Sequence, residues 1–110
     1  MIVGDTIVAA ATASGESGVG IVRLSGCQSL NIARRCFFST QILGARPRFA
    51  EFGKIVLDGE MIDEGLGLVF LGPKSYTGED VVEIQCHGNP LIIESIVSFA
   101  IRSGARMAEA

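Results

Sequence analysis

The sequence predicts an α+β domain: a mixed β-sheet with its helices packed on one face. Three observations lead there. Short β-capable runs bounded by turn residues fill most of the chain. Asp58-Gly59 lies between two of them, a dipeptide suited to the tight hairpin turn whose central residues both need positive φ. Only residues 27–37 and 91–103 carry helical spacing, so the order strand, strand, helix, hairpin, strand, helix, strand places few helices among many strands.

Each element has a local reason. Residues 5–11 form an apolar β-capable run, and residues 12–18 are a loop by composition. Residues 19–25 read as a strand in which Gly20 marks a close backbone approach, and Gly26 breaks it. In residues 27–37, Leu30, Ala33 and Phe37 make a helical stripe with Arg34 and Arg35 outside it. Residues 39–47 are a loop, and the hairpin strands cover 48–58 and 61–71. A second loop spans 72–78, and the next strand spans 79–86. Asn89 then Pro90 is an N-cap followed by the first helical position. The helix that follows has Glu94, Ser98 and Arg102 on its polar side, and its apolar side includes Ile92, Ile93, Ile96, Val97, Ala100 and Ile101. Gly104 stops it, and Ala105-Arg106-Met107 begins a strand that the sequence cuts short, so a fragment of a longer protein is expected.

Composition bounds the function. The 110 residues are 48 % hydrophobic and 19 % charged, which supports one buried core and rules out general disorder. Nine basic against twelve acidic residues give a net charge of −3, the wrong balance for this segment alone to grip a phosphate backbone. No apolar run reaches ~18 residues, so no membrane span is expected. The first five residues lack the basic region of a signal peptide. Three cysteines, Cys27, Cys36 and Cys86, are odd in number and widely spaced; they suit reduced thiols in a cytoplasm.

Two charges stand out. Strand period puts Arg23 on one face with Val19 and Ile21, and Glu83 repeats the pattern between Val81-Val82 and Ile84-Gln85. Such charges are costly unless paired. They are either a structural ion pair, or charges at a sheet rim, or two complementary groups aimed at a ligand. In the last case the Arg suits a carboxylate and the Glu suits a heterocycle edge bearing adjacent N–H donors. Gly15, Gly18 and Gly20 have the wrong spacing for a phosphate loop. Cys86-His87 has no second Cys/His pair to complete a zinc site, so no metal ligands are assigned. A Cys–His dyad fails because adjacent strand residues point to opposite faces. Ser75, Tyr76 and Thr77 offer hydroxyls with no base near them in sequence.

Two strings carry a family resemblance. Asp5-Thr6-Ile7-Val8-Ala9 with Gly15 and Gly18-Val19-Gly20-Ile21-Val22-Arg23-Leu24-Ser25-Gly26 is the first. The second, more specific, is Gly72-Pro73-Lys74-Ser75-Tyr76-Thr77-Gly78-Glu79-Asp80-Val81-Val82-Glu83-Ile84-Gln85 with His87-Gly88. Together with Pro47-Arg48-Phe49-Ala50 and Ile62-Asp63-Glu64-Gly65 they resemble the N-terminus of the tRNA modification GTPase family of the MnmE/TrmE type, over nearly the whole chain.

The resemblance implies that residues 1–110 are a single N-terminal folate-binding and dimerisation domain, similar to half of the folate-binding fold of the glycine-cleavage T-protein. The family's folate-contacting residues fall on Arg23 and Glu83. The implied cofactor is 5-formyl- or 5,10-methylene-tetrahydrofolate. The implied partners are a second copy, a GidA/MnmG-type flavoprotein and, through the full complex, tRNA modified at its wobble uridine. GTP, with Mg and K, belongs to a GTPase domain that this sequence lacks, so the chain alone has no implied catalytic residue. Glu16 stands in a loop that is often basic in the family, Asn89 stands where a Gly is usual, Cys86 replaces a frequent Gly, and a further folate-contacting Lys lies beyond position 110. Two other functions compete: a purely structural dimerisation domain, and a fragment of a T-protein-like one-carbon transferase.

Overall fold

A computed structural model of the chain describes residues 5–11, 18–73 and 78–108. The elements are β1 (Thr6–Ala10), β2 (Val19–Gly26), α1 (Ser29–Arg34), β3 (Phe37–Phe38), β4 (Glu51–Leu57), β5 (Glu60–Phe70), β6 (Val81–His87), α2 (Pro90–Arg102) and β7 (Arg106–Met107). The strands form one sheet in the order β3-β4-β5-β6-β2-β1-β7. All neighbours are antiparallel except β1 and β7, so the sheet is mixed, as the sequence predicts.

The β4–β5 turn takes the predicted conformation, with φ of 52° at Asp58 and 82° at Gly59. The register shifts between Ile55 and Val56, which pair with Asp63 and Met61, so Ile62 is an extra residue on β5. Helix α2 is capped as expected: the Asn89 side chain accepts the Leu91 N–H at 2.8 Å, Pro90 opens the helix, and Gly104 follows it at φ 115°.

Alternate residues of the central strands give the sheet two unlike faces. Val8, Val22, Leu24, Val82, Ile84 and Cys86 point to the face that carries both helices, and with Ile32, Ala33, Ile96, Val97, Phe99 and Ala100 they form one core. Gly20 permits α2 to approach, since a Cβ there would stand 2.6 Å from Ile93 Cδ1. The opposite face carries Ile7, Ala9, Val19, Ile21, Arg23, Glu83, Gln85, Leu66 and Leu68, by strand alternation and cross-strand register.

Two expectations need correction. The first helix is shorter than residues 27–37: Arg35 and Cys36 N–H groups close back three residues, onto Ile32 and Ala33 carbonyls, and Phe37 leaves to pair with Ile55 of β4. Phe37 is buried, but as a strand residue. In α2 the buried stripe includes Phe99, while Ile101 is 40 % exposed.

Candidate functional site

Register brings the two flagged charges together. Arg23 and Glu83 are direct cross-strand partners on β2 and β6, sixty residues apart in sequence. Their row continues outward to Ala9 on β1 and Leu68 on β5. Arg23 Nη2 donates to Glu83 Oε2 at 2.7 Å and Arg23 Nε donates to the same oxygen at 3.0 Å. The fork thus converges on one carboxylate oxygen and leaves Oε1 outside it. Glu83 is 6 % exposed, whereas the Arg23 side chain is 36 % exposed. A carboxylate desolvated to that extent needs its cation, and the guanidinium supplies both charge and directed donors.

A second paired carboxylate lies farther along β6, and nothing in the sequence announced it. Asp63 Oδ2 accepts the His87 backbone N–H at 2.9 Å, and Asp63 Oδ1 lies 2.7 Å from His87 Nδ1. This happens where β5 and β6 part: their ladder ends at Leu66 and Gln85. Gly65 lies against the Gln85 carbonyl there, where a Cβ would collide. Burial alone would raise the Asp63 pKa, but hydrogen bonds from the His87 N–H and ring and from the Glu64 N–H outweigh it and hold the carboxyl below its usual range.

Cys86 and His87 diverge as strand alternation requires. The Cys86 thiol faces the core beside the Gly20 carbonyl, and burial, aided by the nearby Asp63 charge, pushes its pKa up to about 11. Cys36 is likewise buried, and burial pushes it up to about 12. All three cysteines are free, and Cys27 is exposed. Glu16, Lys74, Ser75, Tyr76 and Thr77 lie outside the described residues.

A cavity of about 200 Å³ opens beside this second pair, lined by Gly18, Val19, Glu64, Leu66, Gln85 and His87 among others. A wider groove of about 620 Å³ runs between the β4–β5 turn and α2, where Arg102 meets Asp58 at 3.2 Å. Neither lining includes Arg23 or Glu83. The larger groove holds no buried charge to orient a ligand, so the open sheet face is the better candidate site.

The family model described as "GTP-binding protein TrmE N-terminus" matches residues 6–110. The chain belongs to the TrmE N-terminal family. It is 50 % identical over 106 residues to the tRNA modification GTPase MnmE of Francisella tularensis subsp. holarctica (strain FTNF002-00 / FTA) and to that of subsp. novicida (strain U112). Identity to the protein of the same name from Francisella philomiragia subsp. philomiragia is 49 %. Each match covers 96 % of this chain and 23 % of the relative, so the TrmE N-terminal chain spans about a quarter of the length of these relatives. No helix among the described residues is long and apolar enough to cross a membrane.

Proposed function

We propose that residues 1–110 form the folate-binding and homodimerisation domain of a GTPase that modifies the wobble uridine of tRNA together with a GidA/MnmG-type flavoprotein in the cytoplasm. GTP hydrolysis belongs to a part of the protein outside these residues. The observation that carries the reading is the Arg23–Glu83 pair, a desolvated carboxylate set in the middle of a sheet face that no helix covers.

The residues fit a reduced pterin. Glu83 Oε1, outside the Arg23 fork, suits adjacent ring N–H and amino donors, and the flanking Leu68 and Ala9 give a flat apolar floor. Arg23 orients the carboxylate for that role through its two hydrogen bonds. Bound 5-formyl- or 5,10-methylene-tetrahydrofolate would supply the one-carbon unit. The 200 Å³ cavity is smaller than the roughly 300–1,000 Å³ of sites that enclose a ligand of this size. A second copy laid over the open face supplies the missing walls, which ties folate binding to dimerisation.

One observation favours the rival, assembly-only reading: Arg23 and Glu83 already pair with one another. Calorimetric titration of 5-formyltetrahydrofolate into the protein, with sedimentation alongside, separates the two. Micromolar binding by a dimer, lost in Arg23→Ala and Glu83→Ala with the fold intact, supports the folate site. A folded dimer that ignores the ligand at millimolar concentration leaves assembly as the function.

A further inference from the structure

We propose that His87, held by Asp63, is a second ligand-contacting residue of the open face, and that it binds the carboxylate-bearing tail of the folate whose ring meets Glu83. This rests on the folate reading above.

The geometry is that of an oriented imidazole. The Asp63 side chain is 10 % exposed, and each of its oxygens contacts the same histidine. A half-buried carboxylate at Nδ1 makes that nitrogen the donor, so Nε2 is the nitrogen left to act. The His87 side chain is 74 % exposed, so the ring is fixed at one edge while most of it faces solvent. A surface histidine needs no such anchor for solubility, and β6 needs none to end, since its last N–H would find water.

Position supports the same assignment. Glu83, Gln85 and His87 fall on one side of the β6 pleat. Four residues along a strand span about 13 Å, enough to separate the ring of an elongated ligand from its tail. Between the two ends lie Gln85 and Leu66, cross-strand partners that both line the cavity, and the cavity reaches His87.

The charges around His87 define the expected pH behaviour. Asp63 and Glu64 face it from β5, Gln85 and the core-facing Cys86 thiol flank it on β6, and the Gly18–Val19 segment beside it brings no charge. In the imidazolium, Nδ1–H stays on Asp63 while Nε2–H donates to a ligand carboxylate. A cationic ring holds a carboxylate more tightly than a neutral one, so affinity for a tailed ligand rises as pH falls.

The test compares 5-formyltetrahydrofolate with 6-methyltetrahydropterin, which has the ring and no tail, across pH 5.5 to 8.5. His87→Ala is expected to weaken the folate about tenfold and leave the pterin unchanged. His87→Gln retains a donor, so it recovers part of the folate affinity but removes its pH dependence. Asp63→Asn puts an amide donor against Nδ1, which shifts the neutral ring's proton to Nε2; folate still binds, with the pH dependence flattened. Because His87 is the one histidine of the 110 residues, its ring resonances follow the titration without ambiguity. Folate and pterin weakened equally by His87→Ala, or a ring signal that folate does not move, overturns this inference alone. No folate binding by the unmodified protein overturns the folate reading and this inference with it.

Discussion

The two faces of the sheet are made from alternate residues of the same strands. On β6, Val82, Ile84 and Cys86 enter the core, while Glu83 and His87 on the other side each hold a charged partner. The covered face is stabilised by close packing, which is sensitive to volume and indifferent to pH. The open face is held in part by the Arg23–Glu83 ion pair in a row of apolar neighbours, where removing one partner costs more than removing both. Packing and paired charges thus occupy separate sides of one strand, so their effects are separable by mutation.

The largest break falls on the covered face. Leu24 is 1 % exposed and sits between β1, β6 and the helices. Leu24→Ala is expected to cost about 2–5 kcal/mol, from lost burial plus an unfilled cavity. Denaturant unfolding checks it, and folate affinity of the folded fraction should stay within twofold. A cost below the range would mean that the helix layer closes over the gap.

The open face responds differently. Arg23→Ala strands the Glu83 carboxylate, at an expected cost of about 2–3 kcal/mol, less than for a fully buried pair because Arg23 is partly solvated. The double replacement Arg23→Met with Glu83→Leu should return to within about 1 kcal/mol of the unmodified protein, since the desolvation penalty leaves with both charges. It should bind no folate. Restored stability with lost binding is the clearest separation of the two roles; a double variant as unstable as the single would make the pair structural.

How far these features were legible in the sequence follows from their range. The turn at Asp58-Gly59 and the caps at Asn89 and Gly104 are local, so residue type alone specifies them. Arg23 and Glu83 were conspicuous one at a time, because strand alternation is also local. Their pairing required β2 and β6 to be neighbours in one register, which sixty intervening residues conceal. Asp63–His87 was hidden twice over: it depends on that same sheet order, and on β5 leaving β6 at Gly65 so that a side chain replaces the ladder. The strand β3 was missed because two residues, Phe37 and Phe38, are too short for any period to show.

Acid should sharpen the contrast between faces. Asp63 has its folded pKa lowered, so its contribution is present above the unfolded value of 3.8 and is lost as pH falls through the depressed folded value. Unfolding free energy should therefore decline on acidification below about pH 4, and Asp63→Asn should decline less steeply. Equal slopes in the two proteins would show that Asp63 gains nothing from His87.

The edges of the molecule should matter least. Asn89→Ala removes the acceptor for the Leu91 N–H at the start of α2, an expected loss of about 1 kcal/mol. Smaller still is the pair Arg102–Asp58, at 3.2 Å with side chains 58 % and 69 % exposed. Water screens both charges, and holding two long side chains in one geometry offsets most of the attraction, so Arg102→Ala should change stability by no more than about 0.5 kcal/mol. The same ion-pair chemistry thus gives a several-fold different response according to the place it occupies. If Arg102→Ala instead matched Arg23→Ala, burial would not be what distinguishes the two pairs, and the case for the open face as a prepared site would lose its physical basis.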